Sequence, residues 1–226
     1  MIIDRPDVQV GNLVHMFTRV SGRASLLIVP LFGRRWESGQ AAVFSPQRKL
    51  RQRERAALRS DAREFDYVRD EVATRLVERL NDITREFPDV LDVGAHTGTV
   101  LRALLAQGGA NAPAPNGIRN VTMLDASQLA LSSTAKELDE GARNAGITVH
   151  RSAVPIDGAV LPFADASFDL VFSSMAIHWI NDIPKLFTEI RRVLKPDGAF
   201  LAAFLGGDTL DELKCVRDLN AAHYKK

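Results

Sequence analysis

Two acids and two glycines in this chain stand at spacings that suit ligand chemistry. The apolar run around Val90, Leu91 and Val93 carries Asp92 and ends at Gly94; Gly98 follows, and Val100, Leu101, Leu104 and Leu105 recur at helical spacing. Strand, glycine turn and helix in that order form the unit with which doubly wound α/β folds bring backbone close to a phosphate or nucleotide. Gly94 lets the turn tighten and Gly98 lets the helix begin close to a ligand, because neither carries a Cβ. The pattern is a variant, since His96 stands where a middle glycine is usual. A second apolar run, Val121–Leu124, ends in Asp125. An acid at that place accepts hydrogen bonds from both ribose hydroxyls of an adenosine-type ligand. Asp125 lies about thirty residues past Gly94, further than the usual ~20, and the loop GGANAPAPNG accounts for the excess. The other role open to Asp125 is to cap the helix read from Gln128 to Leu138, and one carboxylate can do both.

The elements that must position these residues alternate along the chain. A charge run, Arg48 to Phe65, reads as a helix exposing Arg51, Arg55 and Arg59, with Glu54 and Asp61 as partial partners. A solvated face is one reading and a basic contact surface for an acidic partner the other. Phe65, Val68, Val72, Leu76, Val77 and Leu80 then repeat at three and four, an amphipathic helix set to pack beside the first strand. Beyond Asp125 a weaker strand is expected at Ile147–His150, a buried one at Phe168–Phe172 and a fifth at Ala199–Phe204. Between the last two, Ile183, Phe187, Ile190 and Leu194 mark a helix with Pro184 in its first turn and LKPDG at its end. A last helix is expected after Gly206 and Gly207, capped by Asp208 or Thr209. Strands alternating with helices imply an α/β, doubly wound, mostly parallel sheet.

Composition narrows the partners. The 226 residues carry 29 basic against 28 acidic side chains, so net charge offers no case for nucleic acid. One cysteine, Cys215, excludes a disulfide framework and a multi-cysteine metal site. No apolar run reaches the ~18–20 residues of a membrane span, and the stretch from Leu26 to Phe32 is broken by Pro30. Residues 1–47 differ from the rest: Arg5, Arg19, Arg23, Arg34 and Arg35 occur with few acids and no settled period. They read either as a basic, acid-poor transit segment or as a disordered leader without a targeting role, in both cases outside the domain formed by residues 48–226.

Two ligands suit this architecture, a nicotinamide dinucleotide and S-adenosylmethionine. The dinucleotide motif calls for a third glycine three residues after the second, where this chain has Leu101. Asp92 beside the turn would repel a pyrophosphate yet suit a ligand carrying an ammonium and a sulfonium, so S-adenosyl-L-methionine is the better fit.

At this point LDVGAHTG, the acid of MLDAS, Asp157 followed by Leu161–Phe163, SFDLVFSS and RRVLKPDGAFL together resemble a class I S-adenosylmethionine-dependent methyltransferase. FSPQRKLRQRERAA, FDYVRDEV, SSMAIHWINDIPKLFTEIRRVLKPDG and FLGGDTLDEL narrow the resemblance, over about residues 44–213, to the mitochondrial complex I assembly factors described as arginine hydroxylases. The malonyl-carrier-protein methyltransferases of biotin synthesis share the layout. The resemblance implies that Asp92, Gly94 and Gly98, with Ala95 and His96 in the same turn, line the methionine end of the cofactor. It implies that Asp125, followed by Ala126, holds the ribose hydroxyls, and that Asp157 accepts from the adenine amino group. Ser174, at the end of the fourth strand, would face the methyl group. It further implies a mitochondrial destination, in the matrix or at the inner membrane, and a protein substrate such as a complex I subunit. The family continues past GGDTLDEL, so the sheet is expected to lack its last two strands and the Ala199–Phe204 strand to lack a neighbour.

Methyl transfer from a sulfonium asks the protein mainly to hold nucleophile and methyl in line, so no catalytic triad is expected and no catalytic residue is assigned. His178 and Trp179, just past the fourth strand, are candidates for the substrate rim; the other reading has Trp179 packing over the sheet and His178 as polar surface. Hydroxylation is implied by resemblance alone. His15, His96, His150, His178 and His223 supply no H-x-D or H-x-E pair of the kind an iron oxygenase uses, and no metal site is expected. Three functions stay open: a methyltransferase-like protein of complex I assembly, an O-methyltransferase for a small or carrier-bound acid, and a non-catalytic assembly protein that keeps the fold.

Overall fold

Short apolar runs, separated by helical stripes, build one six-stranded sheet in the computed structural model of the chain. The structure describes residues 13–19 (backbone), 42–108, 114–157 and 160–206. In chain order the elements are β1 (Leu13–Arg19), α1 (Pro46–Ala57), α2 (Tyr67–Glu78), β2 (Asp89–Val93), α3 (Thr99–Gly108), β3 (Asn120–Asp125), α4 (Gln128–Ser133), α5 (Ala135–Asn144), β4 (Thr148–Ala153), β5 (Phe168–Ser174), α6 (Ile183–Val193) and β6 (Leu194–Leu205). Short 3-10 turns stand at Ala62–Phe65, Arg79–Asp82, Pro115–Gly117 and Ile177–Trp179. The strand order is β1-β6-β5-β2-β3-β4, with β2 to β6 parallel and β1 antiparallel to β6. A doubly wound, mostly parallel sheet is thus the architecture observed. The order reverses beside β2, and in open α/β sheets ligands bind outside the carboxyl ends of the strands at such a point.

Both faces of the sheet are covered, so every residue of β5 is buried. On one face Val90, Val121, Met123, Leu170 and Phe172 pack under Leu76 and Leu80 and under Leu101, Leu104 and Leu138 of the next helices. On the other, Leu91, Val93, Leu124, Val171 and Phe200 meet Leu186, Ile190 and Val193 of α6, with Ile156 and Leu161 from the loop before β5. Each such side chain contributes roughly 1.5–3 kcal/mol by leaving water. α1 is the exception: Ser45 and Pro46 start it, yet none of its residues is buried.

Three expectations are revised. The helix read as one from Gln128 to Leu138 is two, broken at Thr134. Ser132 and Ser133 bond back to the carbonyls of Gln128 and Ala130, and the Thr134 hydroxyl donates to the Thr97 carbonyl at 2.7 Å, so local side-chain bonds compete with the helix. LKPDG does not lie outside a strand: Leu194 already pairs with Phe168, and the ladder resumes at Leu170–Ala199, so residues 195–198 form an irregularity inside β6. The edge of Ala199–Phe204 is also not open. Residues 13–19, within the stretch expected to stand outside the domain, run antiparallel along it from Leu13–Leu205 to Arg19–Ala199. Pairing satisfies a row of backbone groups that an edge strand would otherwise present. The helix expected after Gly207, and Cys215, lie outside the described residues, as do residues 1–12 and 20–41.

Candidate functional site

The glycine turn wraps over the end of β3. Gly94 and Ala95 both donate to the Leu124 carbonyl, at 2.8 and 3.0 Å, and the His96 N–H donates to Asp125 Oδ2 at 3.1 Å. Gly94 and Gly98 both have φ of +81°, where a side chain would be strained. The space a Cβ would need is filled by protein: Ala176 Cβ lies 2.2 Å from that of Gly94, and Leu138 Cδ1 lies 2.5 Å from that of Gly98. At Gly98 the missing Cβ makes room for Leu138 and Met123, so this glycine serves helix–sheet packing at the turn. His96 takes φ of 51° between them, so the histidine in place of glycine adopts the left-handed backbone too.

The His96 ring is held against a cation. Arg69 Nη1 lies 3.2 Å from Nε2 and 3.4 Å from Nδ1, while Nδ1 also sits 3.3 Å from the Thr97 hydroxyl. A guanidinium offers only N–H donors and no lone pair, so a neutral imidazole must accept from it. Burial, then the neighbouring Arg69, pushes the His96 pKa down to about 4. Arg69 and the Thr97 hydroxyl are in turn both tied to the buried Asp66.

The two leading carboxylates differ sharply. Asp92 is 1% exposed and neither of its oxygens has a hydrogen-bond partner. Burial first, and Asp125 second, raise its pKa to about 8. Asp125 is equally buried but fully served: Ser127 N–H donates to Oδ1 at 2.9 Å, while His96 N–H and Arg53 Nη1, the latter at 2.7 Å, reach Oδ2. Its capping role falls to Ser127, whose hydroxyl accepts from Ala130 N–H at 3.1 Å; Ala126 is the half-buried link between the two.

Past β5 the candidates for the rim gather. Ser174 Oγ and His178 Nδ1 are buried without partners. Burial, then Lys49, Arg69 and Arg53, lowers the His178 pKa to about 4. The Trp179 ring lies 5.0 Å from that of His178 and 5.4 Å, edge-on, from Phe44, with Lys49 Nζ 3.2 Å from its centroid. Trp179 therefore does not simply lie over the sheet: it meets side chains of α1 and of the turn before it. Asp157 receives the Asn181 N–H at 2.9 Å on one oxygen and the Asn181 side-chain amide on the other. Asn181 also exchanges two bonds with the Phe44 backbone, at 2.9 and 3.0 Å.

The fold thus brings together Asp92, Gly94, Ala95, His96, Gly98, Asp125 and Ala126 at the ends of β2 and β3. Ser174, His178 and Trp179 follow the end of β5, and Asp157 is bonded to Asn181 just beyond. Sequence reading missed Phe44, Lys49, Arg53, Arg69 and Asn181. Lys49 and Arg53 are one helical turn apart, a signal hidden by the more numerous arginines on the other side of the same helix. Among the described residues no group of three or more His, Cys, Asp or Glu could hold a metal ion.

Of the buried groups without partners among the described residues, Asp92, Ser174 and His178 lie at these strand ends and are what a polar ligand would satisfy. An ammonium and a sulfonium near Asp92 match its unpartnered carboxyl, and a vicinal diol suits Asp125 once Arg53 gives up its place there, so the residues fit an S-adenosylmethionine-type group.

Comparison with known proteins agrees with this architecture. A methyltransferase-domain family model matches residues 91–202. The chain is 35% identical over 177 residues to the mitochondrial arginine-hydroxylase NDUFAF5 of Mus musculus, covering 78% of this chain and 46% of that protein. It is 36% identical over 186 residues to the malonyl-[acyl-carrier protein] O-methyltransferase of a Methylovorus strain, covering 82% and 59%. The chain therefore spans about half the length of these relatives, 46% of one and 59% of the other. A SAM-dependent methyltransferase of Leishmania major has the same fold, with a TM-score of 0.53 at 19% identity over 72% of this chain and 62% of that one.

Proposed function

Because the chain belongs to the class I methyltransferase-like family, we propose that it binds S-adenosylmethionine at the carboxyl ends of β2, β3 and β5 and acts on a protein substrate in mitochondrial complex I assembly. The observation that carries the cofactor reading is the buried Asp92 carboxyl with no partner on either oxygen. In this reading Asp92, Gly94, Ala95, His96 and Gly98 hold the methionine end, Asp125 and Ala126 the ribose, and Asp157 the adenine amino group. Ser174 borders the transferable methyl, and His178 and Trp179 form the acceptor rim. The cofactor supplies an activated methyl on a sulfonium; the chain's own work is to bind, orient and keep water out. His178, held neutral by burial, can accept a proton from an acceptor at Nδ1. The mitochondrial setting, the protein substrate and arginine hydroxylation rest on the likeness to the arginine-hydroxylases.

A second reading has an observation of its own. Lys49, Arg53 and Arg69 all act on His178, and Lys49 has no carboxylate in ion-pair contact among the described residues. A rim this cationic favours an anionic acceptor, such as a carrier-bound carboxylate, over a guanidinium.

Calorimetric titration with S-adenosylhomocysteine tests the first reading. Wild type should bind it, and Asp125→Ala should bind roughly tenfold or more weakly through the loss of charge-assisted bonds. Binding of NADH with indifference to S-adenosylhomocysteine would refute the reading. Methyl transfer to a malonyl thioester, against modification of an arginine peptide, separates the two acceptor classes.

A further inference from the structure

Asp125 cannot serve a ribose while it serves Arg53. A carboxylate offers about four lone-pair directions, and three of these are taken, by Ser127 N–H, His96 N–H and Arg53 Nη1. A vicinal diol needs two, one on each oxygen. The two N–H donors belong to the glycine turn and the α4 cap, and cannot leave without unmaking both. Arg53 comes from α1, which buries none of its residues.

The other end of α1 is fastened in the same manner. Phe44, just before the helix, bonds to Asn181 through both its N–H and its carbonyl, and Asn181 occupies both oxygens of Asp157. Between these two points Lys49 lies over Trp179. The segment from Phe44 to Arg53 is therefore tied at each end, directly or through one residue, to the two acids that an adenosine moiety would use.

We propose that α1 is a strap in competition with the ligand: Arg53 holds the diol's place on Asp125, and binding an adenosine-type ligand evicts it and loosens α1 from the rim at Trp179. The inference rests on the cofactor reading above. Ligand binding then couples to opening of the acceptor side, which orders the two events with the adenosine ligand first.

Calorimetry with S-adenosylhomocysteine on the full chain tests this, with Arg53→Met and Arg53→Lys as variants. Arg53→Met should bind about tenfold more tightly than wild type, since one charge-assisted bond no longer has to be broken. Arg53→Lys, which keeps the cation, should stay close to wild type. Amide exchange needs no variant: residues 49–57 should exchange faster in ligand-loaded wild type, with α2 unchanged. Weaker or unchanged binding by Arg53→Met, or slower exchange in α1 on loading, overturns the strap and makes Arg53 a clamp or a bystander. Failure of wild type and variants alike to bind S-adenosylhomocysteine would instead remove the cofactor reading on which the strap rests.

Discussion

Replacing Asp92 by Asn isolates a buried carboxyl with no partner on either oxygen. This carboxyl, raised from the ordinary 3.8 to about 8, keeps its proton in the native state while the unfolded chain gives it up near pH 4. Between those values the unfolded state binds fewer protons, so stability falls as pH rises. Two histidines act the other way. His96 and His178 are both lowered from 6.5 to about 4, so their contribution is lost as pH falls from 6.5 towards 4, and above 6.5 they are silent. The interval from pH 6.5 to 8 therefore reports Asp92 with least interference. At 1.36 kcal/mol per pH unit, wild type should lose about 2 kcal/mol across that interval, a fall in melting temperature of roughly 4–8 °C.

Asp92→Asn cannot ionise, and its curve should be flat from pH 6.5 to 8, so that its gap to wild type narrows towards the alkaline end. The amide brings N–H groups without partners, a cost of about 1–3 kcal/mol that lowers the whole curve without tilting it. Thermal melts at several pH values measure the slope directly. A ligand bearing positive charge beside Asp92 should restore ionisation, so wild type should release about one proton on binding S-adenosylmethionine at pH 7 and Asp92→Asn none. Calorimetry in buffers of differing ionisation enthalpy reads that proton. Parallel melting curves for the two proteins would show that Asp92 is already ionised and that the reasoning from its burial is wrong.

Two further perturbations probe the scaffold. Lys195 Nζ bridges Asp89 at 2.8 Å and Asp169 at 2.9 Å, so Lys195→Met, which leaves the buried Asp169 with the Asp89 N–H and the more distant Arg85, should cost about 1–3 kcal/mol in a urea melt; a cost below ~0.5 kcal/mol would reduce the bridge to surface decoration. Deleting residues 1–20 removes the strand paired with β6 and should raise the mean mass by light scattering above that of the full chain, because an apolar edge is left bare; an unchanged mass would mean that the edge is protected otherwise.

Much of the sheet was legible because its signals are local. Val90–Val93, Val121–Leu124 and Phe168–Phe172 are apolar runs bounded by turn residues, and each became a strand within a residue or two of the reading. The stripe at three and four likewise predicted the burial of Val72, Leu76, Val77 and Leu80, but Phe65 and Val68 at its start are exposed, because the chain turns at Ala62–Phe65 and α2 begins only at Tyr67. Element boundaries failed where a distant partner decided them. Leu194 leaves its helix for a strand because Phe168 offers it a ladder position, and nothing in LKPDG encodes that partner. The strand at residues 13–19 has the same cause: its place is set by the β6 edge, while the surrounding arginines dominate the composition.

The site divides along the same line. Asp92, Gly94 and Asp125 could be named from the sequence because strand, turn and acid are consecutive or nearly so, and the fold has only to keep them where the backbone already puts them. Arg53 could not, since its partner is 72 positions away and its neighbours Arg51 and Arg55 share its type. Charge alone made α1 a solvated helix, and its lack of any buried residue agrees with that. What the sequence hides is that an exposed helix can still be held, by one guanidinium on a buried carboxylate and by one backbone pair on Asn181. Such attachments are directional and few, so α1 is specified by its two ends rather than by an apolar stripe. A helix held in this way can be released by a ligand that claims the same acids, whereas α2, fixed by Val72, Leu76 and Val77, cannot.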